Sequence, residues 1–278
     1  MKKVSPPDID PVLIYLTCID SFRNSALRNS FYQSLYYFTE LYEIFSKKAA
    51  RANLRSLSVD YLPSNITRDE WIKLYEEKLV QSVDARIFYD MIKTSSPNGK
   101  CLLCMSGNVS QVDHHLPKTR YPVLSVALLN LFPTCADCNK NKTANIPTTP
   151  QNEYLHPYFD DIDSEEWLVA NVIQSNPVSL TYAVTHPLAW DGNLHARVQN
   201  HFTNLKLGNM FTVDAADELS SRIQSFTNLY NAAGEAGLKA QLKENYDSAY
   251  IYSHNSWRTA LYKALWQSDW FCNGGFIR

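Results

Sequence analysis

The sequence predicts an α+β protein that is mainly helical, with a small cysteine-rich element at its centre and a mixed C-terminal region. Three observations carry this reading. Apolar residues recur at helical spacing through residues 10–94, two CxxC pairs bracket a run of short segments between residues 100 and 145, and one stretch crowded with β-branched residues precedes a return to helical spacing. At 278 residues the chain exceeds the ~150 of a modal domain. The changes of pattern divide it into residues 1–95, 96–162 and 163–278.

In the first region Phe31, Leu35, Phe38, Tyr42, Phe45 and Ala49 step by three or four residues, the mark of one buried helix face. Thr67-Arg68-Asp69-Glu70 has capping-box form, and Trp71, Leu74, Tyr75 and Leu79 supply a second stripe behind it. A third, short stripe runs through Ile87, Tyr89 and Ile92, while Pro63 and Pro97-Asn98-Gly99 punctuate the helices. Aromatic stripes of this kind are core far more often than ligand-binding surface, so residues 1–95 read as a helical scaffold. In the last region residues 169–184 surround Ser175-Asn176-Pro177 as a hairpin would. Leu219, Ile223, Phe226 and Tyr230 then mark one helix face, and Trp257, Leu261, Leu265 and Trp266 another. The acidic run between Asn152 and Trp167 reads as a solvated linker, and Cys18 and Cys272 as buried free thiols.

Composition excludes several classes. With 45% hydrophobic and 19% charged residues the chain is globular rather than disordered, and 6 Trp, 17 Tyr and 12 Phe can anchor a sizeable core. Only 8 glycines disfavour a Gly-rich nucleotide-binding architecture, and there is no P-loop, dinucleotide fingerprint or Ser-His-Asp order. A net charge of −2 gives no global field for nucleic acid or anionic lipid, so any nucleic-acid contact must come from a local patch. Val4-Ser5-Pro6-Pro7-Asp8 breaks a signal-peptide core, and the apolar run from Val12 to Ile19 is far short of the ~20 residues that span a bilayer. The expectation is a cytoplasmic protein with no membrane partner.

Cys101-Leu-Leu-Cys104 and Cys135-Ala-Asp-Cys138 are the strongest chemical signal. Four thiolates in two CxxC knuckles suit a closed, tetrahedral, structural Zn²⁺ site, and in the expected compartment disulfides are disfavoured. The stretch between the knuckles is longer than in a short zinc ribbon. It holds Asp113-His114-His115-Leu116-Pro117-Lys118 and Asn130-Leu131, and the second knuckle runs directly into Asn139-Lys140-Asn141-Lys142. A carboxylate such as Asp113 suits a hard divalent ion, and a histidine near its ordinary pKa of ~6.5 can take a proton from water at neutral pH. Adjacent strand residues face opposite sides, so joint action of Asp113 and His114 implies a bend, or a metal and water at the strand edge.

Over residues 101–142 these elements, in this order, resemble the HNH endonuclease motif of the ββα-metal type bracketed by zinc knuckles. The resemblance implies a nuclease that hydrolyses phosphodiester bonds in DNA. It would use one Mg²⁺ or Mn²⁺ ion held by Asp113 and Asn139, His114 as the general base, and Asn130 orienting that base. The spacing to Leu116-Pro117-Lys118 favours His114 over His115, which would contact DNA or pack. Tyr154-Leu155-His156-Pro157-Tyr158-Phe159-Asp160, Trp257-Arg258 and Phe271-Cys272-Asn273-Gly274-Gly275 look similar to HNH proteins encoded with phage-defence ATPases, including the Septu type, which implies an antiviral role and an ATPase partner. His156 would brace the core; His186, His195, His201 and His254 have no metal-ligand spacing.

Local charge agrees with a nucleic-acid substrate. Lys100, Lys118, Arg120, Lys140 and Lys142 stand against Asp113 and Asp137, a local charge of +3, and Lys118, Arg120, Lys140, Lys142 and His115 are the candidate DNA contacts. The alternative reading is a non-catalytic zinc module that binds nucleic acid or a partner protein; it requires the cysteines but not Asp113, His114 or Asn139.

Overall fold

A computed structural model describes residues 2–59 and 62–277, which divide into two compact units at Asp160/Asp161. The first unit begins with helices α1 (Pro11–Asp20), α2 (Ser25–Gln33) and α3 (Leu35–Ala49). Asp10 and Asn24 cap the first two through side-chain oxygens that accept from amides of the opening turn, satisfying donors a helix start otherwise leaves bare. The predicted continuous stripe from Phe31 to Ala49 is interrupted at Ser34, where the chain changes direction between α2 and α3. Beyond the break the buried face is Phe38, Leu41, Phe45 and Ala49, with Leu35 and Tyr42 only partly covered.

The capping box at Thr67 and Glu70 forms as predicted and starts α4 (Arg68–Lys73), which runs on as a π-helical turn, Leu74–Leu79. That turn buries Leu74, Tyr75 and Leu79 and brings Tyr75 toward the centre of the unit. In α5 (Arg86–Thr94) Tyr89 and Ile92 point inward, but Ile87 is 59% exposed. Residues two apart lie on different helix faces, so Ile87 and Tyr89 cannot share one.

Strands β1 (Gln111–His114) and β2 (Leu131–Thr134) pair antiparallel, from Gln111 opposite Thr134 to His114 opposite Leu131, and helix α6 (Ala136–Lys142) follows at once. The chain thus forms strand, long loop, strand, helix. The loop is not a surface excursion. Leu116, Tyr121, Val123, Leu124, Val126, Ala127 and Leu128 are buried in the same cluster as Ile14, Phe31, Phe38 and Trp71. Tyr75 Oη donates to Val112 O (2.8 Å) and Val112 N donates to Tyr89 Oη (3.3 Å), so two tyrosines satisfy the unpaired edge of β1.

The run after residue 152 departs from the linker expectation. Glu153 is 1% exposed; its carboxylate accepts from Leu54 N (2.7 Å) and Arg55 N (3.4 Å) and pairs with the Arg55 guanidinium (3.5 Å). Tyr154, Leu155, His156 and Tyr158 are buried beside it, and Asp160 accepts from His156 N (2.7 Å).

The second unit holds the hairpin β3 (Leu168–Ile173) and β4 (Ser179–Val184), which turns at the predicted Ser175-Asn176-Pro177. Helices α7 (Gly192–Asn204), α8 (Leu207–Tyr252), α9 (Trp257–Gln267) and α10 (Asp269–Cys272) follow, and α8 breaks at Gly234, where φ is 65°. Asn255 accepts from the amides of Trp167 and Leu168 and donates to Glu165 O, fastening the start of β3. Cys18 and Cys272 are buried free thiols, as expected. Among the described residues no helix is long and apolar enough to cross a membrane.

Glu153→Ala strands the buried Leu54 amide and the half-buried Arg55 amide and is expected to destabilise the protein by about 2 kcal/mol, a fall in Tm of roughly 4–8 °C. A thermal melt indistinguishable from wild type would show that these amides find other partners.

Candidate functional site

The four cysteine Sγ atoms lie within 4.8 Å of one another, all on buried residues, and could hold a zinc ion. A tetrahedral ion with Zn–S of ~2.3 Å sets sulfurs about 3.8 Å apart; Cys104 and Cys135 stand at 4.0 Å already. The backbone around them is built for sulfur. Gly107 N donates to Cys104 Sγ (3.3 Å), Cys138 N donates to Cys135 Sγ (3.4 Å), and Cys101 N donates to Gly107 O (2.8 Å). Gly107 is required by close approach, since a Cβ there would sit 3.0 Å from both Cβ and Sγ of Cys135. Hydrogen bonds from the neighbouring sulfurs hold the Cys101 thiol below the ordinary thiol range and push Cys138 above it. The cluster joins the turn before β1 to the junction of β2 and α6, where Cys135 is also the N-cap.

At the far end of β1, burial alternates regularly through His114, so the strand does not bend there. Gln111 and Asp113 share the more open face and Val112 and His114 point inward. Asp113 Oδ1 accepts from His114 N (2.7 Å), and its Oδ2 is 3.2 Å from Lys142 Nζ. The Asn139 amide lies between Asp113 and Gln111. With its NH₂ toward Asp113 it donates to both carboxylate oxygens (2.9 and 3.1 Å) and its oxygen accepts from Gln111 Nε2 (2.8 Å). Turned over, the amide oxygen faces the carboxylate at those same separations. Three oxygens then converge with no proton between them.

The His114 ring sits edge-on to Tyr75, 4.3 Å between centroids. Its Nε2 is 2.8 Å from Ser125 O, and a carbonyl only accepts, so Nε2 carries the proton. Nδ1, left with the lone pair, takes no hydrogen bond from the protein and is not enclosed. Burial, reinforced by the positive charge of Lys118, lowers the His114 pKa to about 3, so the ring is neutral at physiological pH. Ser125 is itself fixed, its Oγ donating to Trp71 O (2.9 Å).

Asn130 is wholly buried and does not reach the His114 ring. Its Oδ1 accepts from Leu116 N (2.7 Å) and its Nδ2 donates to Leu116 O and Leu124 O (3.1 Å each), clamping the two ends of the loop that carries Ser125. It therefore supports His114 through the loop that carries Ser125, with no hydrogen bond of its side chain to the histidine ring.

The expected DNA contacts separate into different groups. Arg120 and Lys140 are exposed. Lys118 is half-buried, 3.4 Å from Glu76 and above the Tyr75 ring. Lys142 is buried: its Nζ donates to His114 O (2.6 Å) and pairs with Asp113, so it is an internal counter-ion rather than a surface contact. His115 is buried too, its ring 4.3 Å from His156, which packs in turn on Phe45 and Phe159; it packs in the interior, and the buried His156 stands among core aromatics. Gln111, Ser125 and Gly107 were not singled out in the sequence, where each is an ordinary residue with no motif to mark it, and Tyr75 was read only as part of a core stripe.

Protein ea31 of Escherichia phage lambda is 30% identical to this chain over 225 residues, 76% of each chain. No protein-family model matches the chain, and no solved structure does.

Two substitutions test the site's construction. Cys138→Ser is expected to abolish stoichiometric zinc by elemental analysis and to yield unstable protein; full zinc content at normal stability would contradict the four-sulfur site. Asn130→Ala leaves Leu116 N and Leu116 O unpaired, Leu124 O keeping its bond from Ala127 N, and should cost about 2 kcal/mol or more, whereas a loss below about 1 kcal/mol would show that the clamp is dispensable.

Proposed function

The chain belongs to the family of the phage lambda protein ea31, and for this member we propose metal-dependent hydrolysis of phosphodiester bonds in DNA, by an HNH-type site on the strand–loop–strand–helix element. One observation carries the reading: the Asp113 carboxylate and the Asn139 amide converge, and the next residue along β1 is a histidine with one ring nitrogen held by a carbonyl and the other taking no hydrogen bond from the protein.

The donor set fits a divalent ion. With the Asn139 oxygen facing Asp113, oxygens lie 2.9–3.1 Å apart, and adjacent ligands of an octahedral Mg²⁺ at ~2.1 Å are separated by about 3 Å. Asp113 and Asn139 would hold Mg²⁺ or Mn²⁺, which when bound supplies Lewis-acid stabilisation to the charge that develops on the phosphoryl and leaving oxygens. The protein's own residues do the rest. His114 Nδ1 accepts the proton of the attacking water, against the burial that lowers its pKa from the expected ~6.5 to about 3, and Ser125 O steadies the resulting imidazolium through Nε2–H. Tyr75 and Ser125 keep the ring from turning. Lys142 holds the His114 carbonyl and the Asp113 carboxylate together, so base and metal ligand stay in register. Arg120 and Lys140 offer exposed charge to phosphates. The zinc knuckles are structural and take no part in the chemistry.

Plasmid cleavage by zinc-loaded protein tests this. Wild type with Mg²⁺ or Mn²⁺ is expected to cut, EDTA to stop it, and His114→Ala to lower the rate by roughly 10²–10⁴-fold with the fold intact. Undiminished cutting by His114→Ala would overturn the assignment of the base. No cutting by folded wild type, alone or with co-purifying proteins such as an ATPase, would favour a zinc module that binds without catalysing.

A further inference from the structure

We propose that Gln111 is the positioning residue that sets which end of the Asn139 amide faces Asp113, and so governs metal affinity. This rests on the metal-site reading above. Gln111 and Asp113 are two residues apart on β1, on one face, and Asn139 reaches up to both from α6. The Gln111 side-chain amide stands 2.8 Å from the end of the Asn139 amide that points away from Asp113, and among the described residues it has no other hydrogen-bond partner.

The two amides are therefore coupled. When Gln111 presents Nε2, the Asn139 oxygen accepts from it and the Asn139 NH₂ donates to both Asp113 oxygens. The carboxylate is then occupied by donors, and no amide oxygen is available to a cation. When Gln111 presents Oε1, the Asn139 NH₂ has an acceptor behind it and the Asn139 oxygen joins the Asp113 carboxylate. An amide can do this because its two ends exchange donor for acceptor by a half-turn. Removing Gln111 leaves the Asn139 NH₂ in the metal-ready orientation with only water to accept from it, while the orientation closed onto Asp113 keeps both its bonds. Metal affinity should fall for that reason alone, since outer partners that orient a ligand are typically worth 10–100-fold in affinity.

A two-by-two set of variants separates orientation from general support. Mn²⁺ binding to zinc-loaded protein is measured by electron paramagnetic resonance for wild type, Gln111→Leu, Asn139→Asp and the double variant, with zinc content and Tm as folding controls. A carboxylate at position 139 offers oxygen whichever way it turns, so it needs no orienting partner. The expected result is a loss of about tenfold for Gln111→Leu when Asn139 is intact and of less than about threefold when Gln111→Leu is added to Asn139→Asp. Gln111→Glu, an acceptor in either orientation, should retain wild-type affinity or exceed it. Equal losses in both backgrounds, or no loss in either, would overturn the role of Gln111 while leaving the metal site standing. Failure of wild type to bind Mn²⁺ would overturn both.

Discussion

Four sulfurs held within 4.8 Å of one another are the constraint on which the rest of the first unit's centre depends. The strands they flank have four residues each and the helix they open has seven. A two-stranded sheet and a helix of that length are both marginal alone in water. Joining residues 101–104 to 135–138 closes the long loop between the strands, so β1, β2 and α6 need no large core of their own. Asp113 and Asn139, far apart in the chain, meet because β1 and α6 are both anchored close to that cluster.

The helices in front contribute more than a platform. Trp71 O fixes Ser125, Ser125 O fixes His114, and Tyr75 supplies both the hydrogen bond to the β1 backbone and the ring against which His114 rests. The π-helical turn that delivers Tyr75 is the kind of local irregularity that recurs at functional sites. From the other side, Asn130 clamps the loop at Leu116 and Leu124. A buried, neutral histidine with one defined tautomer is the product of all three elements together.

Much of this was legible in the sequence, and the remainder was illegible for identifiable reasons. Spacing revealed the cysteine cluster and the capping box at Thr67, composition revealed the hairpin at residues 175–177, and the two strands and helix between the knuckles were implied by the resemblance to the ββα-metal motif. The same residues named Asp113, His114, Asn130 and Asn139; of these the structure brings the side chains of Asp113 and Asn139 together, while the His114 ring turns inward to Ser125 and Tyr75. What spacing could not show was direction. Lys142 reads as one more cation in a basic run, yet it turns inward because Asp113 and a carbonyl lie beneath it. His115 reads as a second candidate, yet β1 ends at His114 and the bend that follows turns His115 against the His156 ring in the core. Ser34 broke a helix that apolar periodicity carried straight through, and Glu153 disappeared into an acidic run although the amides of Leu54 and Arg55 needed its carboxylate.

Hydrogen–deuterium exchange with zinc present, and again after chelation, tests the dependence on the cysteine cluster most directly. If the cluster holds the element together, chelation should strip protection from amides 111–116 and 131–142, while amides inside α1, α3 and α5 keep theirs. Protection at residues 111–116 and 131–142 that survives complete removal of zinc would contradict it, because those short strands and the helix would then be held by packing alone.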